Sequence, residues 1–209
     1  VLNKDFRRTN IDVINTPTVW QDDAADCEIE FCLATTDPNG NPTSGITRTE
    51  TTTNQFDENG NFSVQDSSSG GKEPWDVDNY LNIWVCNLGA QGSGLLGYAS
   101  KPSSSISSND GVVVGYWNFG LSGNSPYHKG RTATHEVGHW LNLIHIWGDN
   151  NCGDDEVTDT PEQETDNNGC PGYPHNANSC NTTNSDGDMF MNYMDYTNDA
   201  CMNLFTNGQ

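Results

Sequence analysis

Hydrophobic positions in this chain are sparse, and each patterned stretch predicts one short element. In CEIEFCLA (27–34) apolar and polar residues alternate, the period of a half-buried strand. GITRTETTT (45–53) is β-prone and reads as a second strand or extended arm, with DPNGNP (37–42) as the intervening turn. YLNIWVCNL (80–88) is a nearly continuous apolar run, as expected for a strand covered on both faces. LLGYAS (95–100) and GVVVGYW (111–117) predict two more strands joined by a Ser-rich loop. Residues 1–10 read as the end of an amphipathic helix. The strongest helical pattern is GRTATHEVGHWLNLIH (130–145), with Thr132 as the expected N-cap. Beyond Ile146 little is periodic, apart from a short helical signal at DACMNLF (199–205).

These elements predict an α+β fold: a twisted mixed sheet with one prominent helix, then an irregular C-terminal half. No Pro/Gly linker divides them, so the chain is expected to form one domain with subdomains 1–142 and 143–209.

Composition narrows the function. Only 33% of the 209 residues are hydrophobic, and no run approaches the ~20 apolar residues of a membrane span. The formal charge of −21 argues against nucleic acid and anionic membranes and favours metal ions or Lys/Arg-containing peptides. Seven cysteines occur, four of them in the apolar-poor last third, with no CxxC pair. That pattern suggests disulfides and hence an exported protein whose leader has been removed. The odd count leaves at least one thiol unpaired or paired outside the chain. The N-x-S/T sequences at Asn61 and Asn181 carry no meaning in a bacterial source.

The chemistry concentrates in HEVGHWLNLIHIWGD (135–149). A helix advances about 100° and 1.5 Å per residue, so His135 and His139 share one face, one turn apart. Glu136 lies beside them, close to a zinc-bound water whose proton it can accept. HExxH alone fits an ordinary helix with buried histidines equally well. His145 cannot join the pair if the helix continues, because it would lie about 9 Å beyond His139 along the axis. Asn142 resolves this: asparagine readily adopts the left-handed conformation that ends a helix, which lets the chain fold back and bring His145 to the same metal. HExxHxxxxxH is then the metzincin spacing with Asn for Gly. That spacing calls for a downstream methionine turn, and MNYMDY (191–196) supplies one, with Met194 as an apolar floor beneath the imidazoles. In isolation Met194 would be read as core filling.

FCLATTDPNGNPTSGITR, YLNIWVCNLG, GRTATHEVGHWLNLIHIWGD, VTDTP and MNYMDYTNDACMNLFTNGQ together resemble the pappalysin family of metzincin zinc endopeptidases, in its compact bacterial and archaeal form. The resemblance implies zinc ligands His135, His139 and His145, general base Glu136 and turn methionine Met194. It implies that Tyr196 hydrogen-bonds the developing oxyanion; a hydroxyl bonded to nearby backbone is the alternative. It implies disulfides Cys152–Cys180 and Cys170–Cys201, with Cys27, Cys32 and Cys86 unassigned. Relatives carry a further apolar strand and the front of the first helix before the equivalent of Val1 and a helix after that of Gln209, so this sequence reads as a processed or truncated fragment or as one whose ends are missing. Relatives also carry a pro-segment in the precursor, so it looks like the mature form.

CGDDEVTDTPEQETD (152–166) crowds seven acidic side chains into fifteen residues, which suits a hard cation with oxygen ligands. The corresponding family loop binds calcium, and Asp155, the Val157 carbonyl and Thr160 are the candidate ligands, followed by Asp159 and Asp166. A solvated acidic loop is the alternative. Substrate is expected antiparallel along an edge strand at Leu95, Gly97 and Ala99. Relatives often cleave before Arg or Lys, using an acidic residue beside the methionine turn. Asp199 is the candidate here, because Asp195 is better suited to bonding its own turn. The expected protein is therefore a secreted, monomeric zinc- and calcium-dependent endopeptidase. The rival is a catalytically silent metal-stabilised binding or adhesion module, against which the retained Glu136 argues.

Overall fold

The computed structural model describes residues 1–56, 63–89, 94–103, 105, 107–121, 126–180 and 186–209; Asn61 and Asn181 lie outside them. Among the described residues the regular elements are short. Helix α1 spans Leu2–Phe6, strands β1, β2 and β3 span Ile83–Cys86, Gly97–Ala99 and Val112–Gly115, and helix α2 spans Arg131–Trp140. Single 3-10 turns lie at Ile11–Asn15, Thr18–Trp20, Ser63–Gln65 and Ser67–Ser69. The sheet order is β1–β3–β2, with β1 parallel and β2 antiparallel to β3. The mixed sheet expected from sequence is therefore present, and β2 is an edge strand.

The central strand β3 is wholly buried because both its faces are covered. Val112 and Val114 meet Ala133 and Val137 of α2 together with Phe6, Tyr193, Met194 and Phe205. Val113 faces the other way, into a cluster with Phe56, Trp84, Cys86 and Leu88. A third cluster, built on Trp20, Ile146, Trp147, Met189 and Phe190, underlies the irregular C-terminal half.

Several expected elements differ. Residues 27–34 and 45–53 run without a strand ladder. A cavity of about 970 Å³ is lined by parts of these segments and by β1. Val85 faces this cavity and is 44% exposed, so β1 is not covered along its whole length. The helix expected at 1–10 stops at Phe6, and Arg8 turns left-handed (φ 47°). DACMNLF is not helical. Its backbone pairs with the methionine turn instead: Asn203 N–H donates to the Met191 carbonyl (2.9 Å) and Tyr193 N–H to the Leu204 carbonyl (3.0 Å). Those long-range bonds outweigh a weak local preference.

Candidate metal centre and cleft

Helix α2 presents the first two histidines, and both of its ends depart from simple capping. Thr132 is not the N-cap. Gly130 holds that position at φ 81° without a side chain to bond the free N–H groups. The first of them is met from a distant part of the chain: Asp199 accepts from Arg131 N–H (3.2 Å), and also from Lys129 N–H just before the cap (2.7 Å). A carboxylate there also complements the positive end of the helix dipole. Arg131 is itself buried, donating to Asp5 (2.8 Å) and Asp12 (3.1 Å), which fastens the helix to the N-terminal segment.

The other end is a left-handed stop. Asn142 has φ 80°, its N–H donates to the His139 carbonyl (2.9 Å), and Leu143 N–H donates to the Gly138 carbonyl (2.9 Å). This bond pair is the Schellman closure, with asparagine in the usual glycine position. The chain reverses and brings His145 back to His135 and His139.

Their ligand-capable atoms, one from each residue, all lie within 4.8 Å of one another. The Nε2 atoms of His139 and His145 are 3.1 Å apart. Nitrogens about 2.0–2.1 Å from a tetrahedral zinc would be about 3.3–3.4 Å apart. Each Nδ1 meets an acceptor: the Tyr193 carbonyl for His135 (2.7 Å), the Leu143 carbonyl for His139 (2.8 Å) and the Asp149 carboxylate for His145. Donation from Nδ1 leaves the Nε2 lone pairs free, as a metal requires. Burial lowers all three imidazole pKa values, to about 4 for His139, so the neutral ligand form prevails at neutral pH. The donor set and its orientation fit zinc.

Glu136 is buried, and burial pushes its carboxyl up to about 8. The edge strand passes close by: a Cβ placed on Gly97 would stand 2.9 Å from Glu136 Cγ. Glycine at 97 therefore lets β2 approach the base. Met194 lies against the helix backbone between the histidines, since a Cβ on Gly138 would come within 2.5 Å of its sulfur. The half-exposed ring of Tyr196 stands 4.8 Å from that of His145 and 5.6 Å from that of His135. Burial pushes its phenol up to about 12, so it remains a donor at neutral pH.

The three histidines, Glu136 and Tyr196 line one cleft of about 470 Å³ with Leu95, Gly97, Ala99, Lys101, Tyr127 and Asp199. Asp195 borders the cleft but faces inward, accepting from Tyr196 N–H (2.8 Å), Asn167 N–H (2.7 Å) and the Gln163 side chain (3.1 Å). Sequence reading anticipated its bonding to the turn, but not Asn167 and Gln163, which carry no local signal.

The acidic loop is less convergent than its composition suggests. Asp155, the Val157 carbonyl and the Thr160 hydroxyl do cluster: Thr160 Oγ1 lies 2.8 Å from Asp155 Oδ2 and 2.9 Å from the Val157 oxygen. Asp159 accepts from Thr206 (2.6 Å) and Gly208 N–H (2.7 Å), tying down the chain end. Asp166 accepts from Thr165 (2.9 Å) and the Asn168 amide. Among the described residues the histidine triad is the sole group of three or more His, Cys, Asp or Glu side chains close enough to hold an ion. Disulfides Cys152–Cys180 and Cys170–Cys201 are both formed, while Cys27, Cys32 and Cys86 are free thiols.

Comparison with known proteins agrees with this geometry. A peptidase family described as pregnancy-associated plasma protein-A matches residues 64–209. An extracellular metalloprotease of Arthroderma otae is 36% identical over 157 residues, covering 72% of this chain and 56% of the relative. Extracellular metalloprotease 1 of Coccidioides posadasii is 40% identical over 122 residues, covering 56% and 42%. The chain thus spans about half the length of the curated relatives it matches. Mature mirolysin of Tannerella forsythia in complex with a cleaved peptide superposes with a TM-score of 0.92 at 53% identity, covering 99% of this chain and 77% of that one. Promirolysin gives the same TM-score and identity, with 68% of its chain covered.

Proposed function

The chain belongs to the pregnancy-associated plasma protein-A (pappalysin) family of metallopeptidases, and on that footing we propose that it is a zinc-dependent endopeptidase. It is secreted, as the extracellular metalloproteases related to it are. One observation carries the reading: three metal-ready imidazoles and a buried glutamate meet beside the edge strand β2.

A zinc ion held by His135, His139 and His145 supplies Lewis acidity and lowers the pKa of water to about 7. Such a charge beside Glu136 favours its ionised form against burial, which fits it to accept a proton from the attacking water. Strand β2 offers backbone groups to an extended peptide, and Gly97 places that peptide beside Glu136. Tyr196 donates its hydroxyl towards the oxyanion. Met194 and the closure at Asn142 hold the imidazoles in place. Residues 1–142 and 143–209 act as two subdomains of one monomeric catalytic unit with the cleft between them. The precursor carries a pro-segment, as promirolysin does by name.

An antiparallel substrate puts its leaving-group side opposite Leu95 and its acyl side opposite Lys101. Asp199 lines the cleft in company with Tyr127 and Thr132. We assign it a preference for Arg, then Lys, after the cut bond. A shielded carboxylate gains from pairing with a guanidinium, and the charge of −21 draws cationic peptides. Because Asp199 also caps α2, the informative variant is Asp199→Asn, which retains an oxygen acceptor. Cleavage-site sequencing should show the basic preference lost, and an unchanged Arg profile refutes the assignment.

Asp155, Val157 and Thr160 are assigned to a structural calcium ion, with the remaining oxygens of a 6–8-fold shell coming from carbonyls or water. Asp159 and Asp166, bonded elsewhere, are the weaker candidates. Added calcium should raise the melting temperature of a calcium-stripped sample; no change removes the site.

The deciding experiment is Glu136→Ala with casein as substrate. The variant should keep stoichiometric zinc and lose nearly all turnover. Near-wild-type hydrolysis would favour another base, and no zinc in the wild type would favour the binding-module alternative.

A further inference from the structure

The three imidazoles are not held alike. His135 and His139 each donate to a backbone carbonyl, of Tyr193 and Leu143. His145 donates to a side chain, Asp149, four residues on and outside any helix. The loop is shaped to bring that carboxylate back. Gly148 N–H donates to the His145 carbonyl (2.8 Å), and Gly148 and Asp149 are both left-handed, at φ 64° and 57°. An aspartate in that conformation is a cost accepted where the surroundings fix it. On its second face His145 stacks on Trp147, with ring centroids 4.3 Å apart and planes 4° from parallel. The stack sets the ring plane, and the carboxylate sets the rotation about it.

Asp149 also pairs with a residue that lines the cleft. Lys101, two residues beyond β2, has Nζ 3.6 Å from Asp149 Oδ2. Both side chains are about 45% exposed, so the ion pair adds little to stability.

We propose that Asp149 is the positioning residue for the third metal ligand, and that its carboxylate governs how tightly His145 holds zinc. The inference rests on the zinc reading above. A carboxylate behind a ligating imidazole fixes the tautomer and raises the basicity of the nitrogen facing the metal, and its loss typically costs 10–100-fold in affinity. A carbonyl acceptor orients without contributing a full charge. The centre therefore has two ligands fixed by the fold and one set by a replaceable side chain.

The test is zinc competition against a chromophoric chelator, run on wild type, Asp149→Ala, Asp149→Asn, Lys101→Met and His145→Ala, alongside melting of the chelator-stripped proteins. Asp149→Ala should hold zinc about 10–100-fold more weakly. Asp149→Asn should fall between it and wild type, since the amide oxygen still accepts but carries no charge. Alanine is strained at this left-handed position, so stripped Asp149→Ala should melt slightly below wild type. Stripped Asp149→Asn should match wild type while still holding zinc more weakly, which a merely structural role would not give. Lys101→Met should bind zinc within about twofold of wild type, because the carboxylate itself and not its exposed ion pair with Lys101 acts on His145. Wild-type zinc affinity in Asp149→Ala, with zinc lost in His145→Ala, overturns this proposal and leaves the zinc reading standing. A loss in Lys101→Met equal to that in Asp149→Ala also overturns it. Absence of stoichiometric zinc in the wild type overturns the underlying reading instead.

Discussion

Strand β3 with α2 and the segment from Met189 to Thr206 are buried to a similar depth but ordered by different means. Val112 to Val114 and Val137 are fully buried within repeating backbone ladders. Met189, Tyr193, Met194, Asp195 and Thr197 are also fully buried, yet this segment has no helix or strand. Here side chains do what a ladder does elsewhere. Asn192 Oδ1 accepts from Met194 N–H (2.8 Å), and the Thr197 hydroxyl donates to the Phe190 carbonyl (2.7 Å). Asp195 gathers the N–H groups of Asn167 and Tyr196. Buried backbone must find partners one way or the other. A ladder-built region depends on its apolar surface, whereas a side-chain-built region depends on each polar group and on whatever ties it shut.

The largest way to break the comparison is to cut a tie. The Cys170–Cys201 bridge closes a loop across 31 residues and anchors the side-chain-built segment. Replacing both cysteines with serine should cost about 3–4 kcal/mol by loop-closure entropy. Urea denaturation of the double variant checks this. A loss below about 1 kcal/mol would mean that the side-chain bonds suffice without covalent closure.

A second test sharpens the comparison through pH. Burial raises the Asp195 carboxyl from its ordinary 3.8 to about 6. A folded-state pKa above the unfolded value means the native state holds the proton more tightly. That contribution is present in full below about pH 4 and lost as pH rises through about 6. The gap of about two units corresponds to on the order of 3 kcal/mol. The stability difference between wild type and Asp195→Asn should therefore narrow as pH is raised from 4.5 to 7.5. A constant difference would show that Asp195 does not titrate with folding.

The same contrast explains what was legible in the sequence. The helix bearing His135 and Glu136 shows in periodicity because a ladder imposes a period. Asn142 shows because tolerance of left-handed backbone is intrinsic to asparagine. By contrast, alternation in CEIEFCLA reports an extended, half-buried chain but not whether a partner strand is within reach. The helical spacing of DACMNLF loses to pairing with Met191 and Tyr193, partners that only the fold supplies. Asp199 as remote cap of α2 and Asp149 as acceptor for His145 are likewise invisible. Their partners are fixed by chain reversals that leave no local period.

The smallest expected effect bears on the ladder-built side, at the reversal where the two regions meet. Asn142 at φ 80° sits where the closing bonds need a left-handed residue, whatever its side chain. Glycine fits that conformation freely, yet costs more unfolded-state entropy than asparagine. The two terms oppose each other, so Asn142→Gly should stay within about 0.5 kcal/mol of wild type. Alanine keeps the Cβ without asparagine's local hydrogen bonding, so Asn142→Ala should lose about 1 kcal/mol. Chemical denaturation with zinc removed separates this backbone cost from metal binding. If alanine and glycine behave alike, the reversal is held by the His145 and Met194 contacts beyond it, and the helix end belongs with the side-chain-built half. If alanine alone suffers, the backbone itself makes the turn that carries His145 back to the metal centre.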